Sequence, residues 1–476
     1  MKNKFNNLTS KEWLPFQKSW FIETSTIDTY RANLKFFVKF DAETPPNVLF
    51  WGSKENNELI SRVADEIGAN VYSYQNIQDV DNLQFVLIDV RDIIEENPTI
   101  ENYSKIRQEV IKICNACIEK LNDRRFISVF IQNIYKNGSY YPIAWELSKT
   151  LSTGLSLKDE KIGCYDKIGS GDSPYVKGNI YYSLYFRKDE SSSGLIQTNL
   201  SKYFLRPNSN KVPFFNTKPI SNWHIIKPKP RNKVEILHPA KYPEELVELF
   251  LDTFTQEKDN VFDPMSGSGS TQYAALSKDR NAYGTELSPF FGKIAINRLN
   301  EFIEPSQLSL FKVEKSVKFN ILIKDARQIK KNDFPTIDYI ITSPPYWDML
   351  NMKGAEYQAR RKEMGLQLNY SDDNKDLGNL SVYEEFINDL CEIYFNLFDI
   401  LKEGGIMTII VKNIKKKGKN YPFAYDLSEI LQKQYILLPE VFWCQDDINL
   451  APYGYGNTFV SNTFHQYCLN FQKPIS

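Results

Sequence analysis

Apolar positions in this chain gather into short, nearly unbroken runs, and between the runs they recur at helical spacing. The segments from Asn47 (NVLFW), Phe85 (FVLID), Phe126 (FISVFI), Asn260 (NVFD), Ile337 (IDYIIT) and Ile406 (IMTIIV) predict strands buried on both faces. VIKICNACIEKL, from Val110, carries the helical pattern instead. Two strongly aromatic strands, NIYYSLYFRK and TFHQYCLNFQK, close the two halves of the chain. Strands alternating with helices in this way predict an α/β fold of doubly wound, mostly parallel sheets.

The pattern also repeats. FISVFIQNIYKNGSYYPIAWELSKTL, from Phe126, aligns without gaps with IMTIIVKNIKKKGKNYPFAYDLSEIL, from Ile406. Asn133 falls on Asn413, and Tyr141-Pro142 on Tyr421-Pro422. Each copy reads as a strand, a polar turn and an amphipathic helix. More weakly, the segment from Asn47 parallels that from Asn260, and FVLIDVRD parallels YIITSPPY from Tyr339. A shared string at identical spacing points to duplication. The expected organisation is an N-terminal extension (1–46), a first α/β domain (47–188), a basic linker (189–235) and a second α/β domain (236–476). The linker carries SSSG and then NWHIIKPKPRNK, where prolines and cations cluster. The extension, with WLPFQKSWF and TYRANLKFF, is aromatic and basic enough to pack on a domain or to touch nucleic acid.

Composition narrows the picture. A chain of 476 residues, 42% hydrophobic and 14% aromatic, can build two or three packed cores. Its net charge of -1 argues against a protein that coats nucleic acid by charge alone, so any such surface must be a local patch. No run approaches the roughly 18 apolar residues of a membrane span. The opening MKNKFNNLTSKEW has no signal-peptide core, so a cytoplasmic protein is expected. Of the six cysteines, Cys114 and Cys117 form a C-x-x-C inside a helical pattern, with no second pair at zinc spacing. Core thiols, and no metal site, are the expectation.

Candidate chemistry lies in the second half. VFDPMSGSGSTQYAAL is a strand, a glycine-rich turn and a helix start. Gly267 and Gly269 let the backbone approach a ligand closely, with the free amides of the helix facing it. The loop lacks the Gly-Lys-Ser/Thr ending of a phosphate loop, which disfavours ATP. Glu286 ends the next strand, where an acidic residue suits ribose hydroxyls, and Asp325 ends a third. Farther on, IDYIITSPPYWDML sets Ser343-Pro344-Pro345-Tyr346 at the end of a buried strand. The prolines stiffen the turn, and the Ser343 hydroxyl and Pro344 carbonyl can accept the two N–H bonds of an exocyclic amine. Tyr346 offers a face for a base taken out of the helix.

HPAKYPEELVELFLDTF followed by VFDPMSGSGST resembles the joined cofactor motifs of the amino-methylating DNA methyltransferases, with Met265 and Ser270 as departures from the family's Phe and Thr. The resemblance implies S-adenosylmethionine as cofactor. It places Asp263, Ser266, Gly267 and Gly269 around the methionine part, Pro264, Met265, Ser270 and Thr271 in the same loop, Glu286 on the ribose, Asp325 at the adenine amine, and Tyr242-Pro243 closing over the site. Ser-Pro-Pro-Tyr is typical of the family's cytosine-N4 members, and Asp-Pro-Pro-Tyr of adenine-N6 members. The resemblance therefore implies methyl transfer to N4 of a cytosine in double-stranded DNA, within a restriction-modification system whose restriction enzyme is encoded separately. An adenine-N6 enzyme, an RNA or guanine-N2 methyltransferase, and a non-catalytic DNA-binding subunit are the alternatives.

Candidates for DNA contact are Arg360, Arg361 and Lys362, in a polar stretch after Tyr346 that the first copy lacks, and Lys415, Lys416 and Lys417 in the turn of the repeated string. The first copy has FWGSKENN in place of DPMSGSGS and IDVRD in place of TSPPY. It is expected to bind no cofactor and to serve as a structural partner or as a holder of DNA.

Overall fold

A computed structural model describes residues 3–475 apart from 42, 137, 167–179, 190–194, 198–203, 205–219, 229–241, 304–315, 348–375, 417, 448, 453, 458, 460 and 461. The first unit contains β1 (Trp20–Ile22), β2 (Asn47–Trp51), β3 (Asn70–Ser73), β4 (Leu83–Asp89), β5 (Leu121–Ile131), the hairpin β6 (Ile134–Lys136) and β7 (Ser139–Tyr141), β8 (Ser156–Cys164) and β9 (Ile180–Arg187). The second contains β10 (Trp223–Ile225), β11 (Asn260–Asp263), β12 (Asn281–Glu286), β13 (Phe319–Ile323), β14 (Ile337–Thr342), β15 (Leu401–Val411), the hairpin β16 (Ile414–Lys416) and β17 (Lys419–Tyr421), β18 (Ile436–Leu437), β19 (Val441–Cys444) and β20 (His465–Gln472).

The sheet orders are β1-β8-β9-β5-β4-β2-β3 and β10-β19-β20-β15-β14-β11-β12-β13, with β18 also pairing with β20. Strand for strand they coincide, and β13 extends the second. β9 and β20 run antiparallel to both neighbours, and the other pairs along each path are parallel. Two pieces of the first sheet's unit, β1 and the helix Thr26–Phe37, come from residues 1–46. Similarly, β10 comes from the stretch read as linker.

Alternation along the strands assigns the faces. Phe85 and Leu87 of β4 join Phe126 and Phe130 of β5 in an aromatic core capped by Trp13, Phe36 and Phe37 of the N-terminal segment. Tyr339 and Ile341 of β14 join Ile406 and Ile410 of β15 in the corresponding core of the second unit. The opposite faces, Val86, Ile88 and Val129 from one sheet and Ile340, Met407 and Ile409 from the other, belong to one continuous core spanning both units. Strands buried on both faces need apolar side chains at every position, which is why the runs are unbroken.

The repeated string forms the joint between the units. Asn133 Oδ1 accepts from the Ala144 N–H at 2.9 Å, and Asn413 Oδ1 from that of Ala424 at 3.0 Å, so each asparagine caps its own helix. Their amide nitrogens cross over, Asn133 to Glu440 at 3.1 Å and Asn413 to Glu160 at 3.3 Å. The Tyr140 and Tyr182 hydroxyls also donate to Glu440, and that of Tyr467 to Glu160. Trp145 stacks on Tyr425 with ring centres 4.8 Å apart. Burial pushes the pKa of Glu440 up, while the donating hydroxyls pull it back. A buried acceptor surrounded by donors from the other unit fixes how the units meet.

Candidate active site

A cleft of about 680 Å³ opens at the C-terminal ends of the second unit's parallel strands, where open α/β sheets take ligands. Among the residues proposed from sequence, Pro264, Met265, Gly267, Glu286, Asp325, Ser343 and Pro345 line it.

The glycine loop is braced from behind. Asp263 is 1% exposed, and burying a carboxylate demands donors. Its Oδ1 accepts from the Met265 N–H at 2.9 Å and the Thr342 hydroxyl at 2.7 Å. Its Oδ2 accepts from the Tyr242 and Thr271 hydroxyls, each at 2.9 Å. The resemblance set Asp263 and Tyr242 against the cofactor; in the structure both serve the loop, and neither lines the cleft. Ser266 is likewise turned inward, held by Gln272 at 2.8 Å. Gly269, at φ +78°, takes the left-handed turn that starts the helix Ser270–Ser277. Gly284 on β12 allows the strand to approach the loop, since a Cβ there would stand 2.2 Å from Ser266 Oγ.

Glu286 closes β12 with both oxygens engaged, accepting from the Gly267 N–H at 2.7 Å and the Ser288 N–H at 2.9 Å. Burial pushes its pKa up to about 7, with lesser contributions from the charges of Asp263 and Asp376. Asp325 receives Arg327 at 2.9 Å, and Arg327 extends to Asp389 at 3.4 Å. Phe291, Arg327 and Asp376 line the cleft without having been candidates. Arg327 stands two residues after Asp325, a signal that was available. Asp376 arrives from a segment far along the chain, where it caps a short turn by accepting the Gly378 N–H at 2.9 Å, and nothing local announced it.

The Ser343–Tyr346 turn is tied to the glycine loop through the Thr342–Asp263 bond. Ser343 and Pro345 face the cleft and Pro344 is buried. The Tyr346 hydroxyl donates to Gln466 at 3.0 Å. Burial pushes its pKa up, and hydrogen bonding with Ser343 opposes this. Trp347 packs edge-on against Tyr383 and Tyr421, with centres 5.3 and 4.9 Å away. Of the basic candidates, Lys416 lies 3.8 Å over the Trp347 ring. Lys415 pairs with Asp159 of the first unit at 2.8 Å and so contributes to the joint. Arg360, Arg361, Lys362 and Lys417 lie outside the described residues.

The matching turn of the first unit is filled. Phe85 pairs with Val48 and Phe126 as Tyr339 pairs with Val261 and Ile406, which sets Asp89 opposite Ser343 and Arg91 opposite Pro345. Arg91 binds Asp89 at 2.7 Å, Glu23 at 3.0 Å and the Tyr165 hydroxyl at 2.7 Å, and it lies 4.1 Å over the Tyr181 ring. Asp92 accepts from Ser53 and Asn56 at 3.0 and 2.7 Å, stitching the loop after β2 to the turn. Among the described residues there is no cluster that could hold a metal ion and no helix long and apolar enough to cross a membrane, and the six cysteines are buried thiols.

A sheet of this order, with a glycine loop after β11 and a carboxylate ending β12, is a Rossmann-like fold for a nucleotide cofactor. The DNA methylase family matches residues 72–297, a span that includes the cofactor loop and ends before Ser343. The orphan methyltransferase M.BamHII of Bacillus amyloliquefaciens is 38% identical over 89 residues, 19% of this chain and 33% of that protein. The Type II methyltransferase M.HindIII of Haemophilus influenzae is 30% identical over 119 residues, 24% of this chain and 38% of its own. The chain thus spans less than half the length of these relatives. TrmN from Thermus thermophilus, at 11% identity and TM-score 0.31 over 66% of this chain and 59% of its own, is too slight a likeness to bear on the fold. Over these spans the chain is similar to the amino-methylating DNA methyltransferases, and S-adenosylmethionine is the cofactor that goes with them. The residues present fit it: Glu286 brings a carboxyl group, which suits ribose hydroxyls, to the cleft wall, and Gly267 leaves the loop backbone bare beside it.

Proposed function

We propose that the second unit transfers a methyl group from S-adenosylmethionine to an exocyclic amine of a base in double-stranded DNA, N4 of cytosine in preference to N6 of adenine. The reading rests on one observation above the rest. Ser343 and Pro345 stand in the same cleft as Gly267 and Glu286, with the Thr342–Asp263 bond fixing turn to loop.

Glu286 and Gly267 would hold the nucleoside and methionine parts of the cofactor, and Asp325 would reach the adenine amine. When bound, the cofactor supplies a methyl group on a positively charged sulfur. An exocyclic amine is a poor nucleophile because its lone pair is delocalised into the ring. The Ser343 hydroxyl and the Pro344 carbonyl accept its N–H bonds and turn the lone pair towards the methyl, and such positioning is worth several powers of ten in rate. Tyr346 supplies a face for the extruded base. Lys416 and the hairpin β16–β17 lie beside the turn, where the DNA backbone would pass. The first unit acts as the structural partner. By kinship with Type II enzymes, the setting is a restriction-modification system with a separately encoded restriction enzyme.

The test is incubation with unmethylated DNA and methyl-labelled cofactor, followed by digestion to nucleosides and mass identification. N4-methylcytosine is expected. N6-methyladenine would move the target base, and labelling of RNA with none of DNA would remove the DNA reading altogether.

A further inference from the structure

Lys412 is the residue that follows β15, and it is half-buried. The parallel register sets Thr342 opposite Ile409, so the chain at Lys412 runs alongside the Ser343–Tyr346 turn. On the other side, β15 and β20 pair with Val411 opposite Tyr467, which brings Lys412 level with Gln466, the acceptor of the Tyr346 hydroxyl. Its Nζ lies 5.2 Å from the centre of the Tyr346 ring. Among the described residues it has no carboxylate partner. Its neighbours in sequence are differently placed, for Lys415 is paired with Asp159 and Lys416 rests on Trp347. Burial alone holds its pKa below that of an ordinary lysine. In the first unit the equivalent residue is Gln132, directed at the Arg91 carbonyl at 3.5 Å.

The ammonium of this half-buried lysine stands against Tyr346 with no carboxylate beside it among the described residues, and so can donate to an acceptor that a bound molecule brings. The substrate has one to offer. A base whose amine is held by Ser343 and the Pro344 carbonyl presents, next to that amine, a ring nitrogen that only accepts: N3 in cytosine and N1 in adenine. The two prolines of the turn have no N–H to offer it, and the Tyr346 hydroxyl already donates to Gln466. Phosphates, by contrast, run along the outside of a duplex and suit Lys419, which is exposed on the hairpin.

We propose that Lys412 donates a hydrogen bond to the ring acceptor beside the target amine, making it a specificity-determining residue for the extruded base. The inference rests on the DNA-methylating reading above. Its test uses the full chain and unmethylated plasmid DNA, with Lys412→Met, Lys412→Gln and Lys412→Arg. Turnover at saturating DNA, the salt dependence of DNA affinity, cofactor affinity and melting temperature are all measured. In Lys412→Met, turnover should fall about 10- to 100-fold, with the salt slope, cofactor affinity and melting temperature unchanged. Lys412→Arg should recover part of the loss, and Lys412→Gln less. A salt slope lower by about 0.9 with full turnover at saturating DNA would make the contact a phosphate and overturn the proposal. Unchanged turnover and slope, or a loss explained by lowered melting or cofactor affinity, would overturn it as well. A wild-type protein that transfers no methyl to DNA brings down the parent reading, whereas an active wild type matched by Lys412→Met removes only the role of the lysine.

Discussion

The turns after β4 and β14 occupy the same place in two sheets of the same order, and they have been put to opposite uses. After β14, the proline turn holds Ser343 and Pro345 at an open cleft, and the buried Asp263 is satisfied by four donors behind the loop. After β4, Asp89 stands in the serine's place with Arg91 drawn over it, and Glu23, Tyr165 and Tyr181 complete a buried cluster. A scaffold preserved in topology does not preserve a site. An acceptor for substrate works only if the protein leaves it partly unsatisfied, and the first unit satisfies its acceptor completely.

The sharpest way to break the comparison is to unplug the first turn. Arg91→Leu leaves Asp89 and Glu23 buried without their cation and should destabilise the chain by about 3–5 kcal/mol in urea unfolding. It should confer no second methyl-transfer site, because the loop after β2 has no glycine pair. Next in size, Ser343→Ala should lower turnover about 100-fold while leaving cofactor affinity within about twofold, as expected for loss of one positioning group. Turnover equal to wild type would remove the serine from the mechanism.

Glu440→Ala strands the hydroxyls of Tyr140 and Tyr182 at the joint and should cost about 1–3 kcal/mol, with Glu440→Gln costing less because the amide oxygen still accepts. Equal losses for both variants would argue that the charge, and not the acceptor, matters. The smallest effect is in pH. Glu286 holds its proton up to about pH 7 in the folded protein, against 4.5 ordinarily. Its contribution to folding is therefore present at acid pH and lost as pH rises through that window. With Glu286 on the ribose as proposed, cofactor binding would need the carboxylate and run the other way. Affinity should fall as pH drops below about 7, by up to about tenfold per unit, and Glu286→Gln should flatten the profile.

Much of this was legible in the chain. Buried strands, the glycine loop and the proline turn are local features, written in runs of residues close together. The repeat was visible too, although its meaning was not. Asn133, Asn413 and the Tyr-Pro pairs looked like a shared design feature, and the structure makes the asparagines half of a reciprocal lock with Glu160 and Glu440. Residues 1–46 and the stretch containing Trp223 read as extension and linker because their aromatic residues carry no long periodic run. They nevertheless supply β1 and β10, each a strand of three residues held in place by a parallel partner.

Sequence alone determined that this is a doubled α/β chain whose second half carries the glycine loop and the proline turn, because strand burial, close backbone approach and a rigid turn each depend on neighbouring residues. Tertiary structure decided which side chains face the cleft. Asp263 and Tyr242 turned inward to serve the loop, Asp376 and Arg327 entered the site, Lys415 went to the joint, and Lys412 was left beside Tyr346. The reason is electrostatic bookkeeping at a distance: a buried charge or donor takes whichever partner packing brings within 3 Å or so, and that partner is commonly far away in the chain.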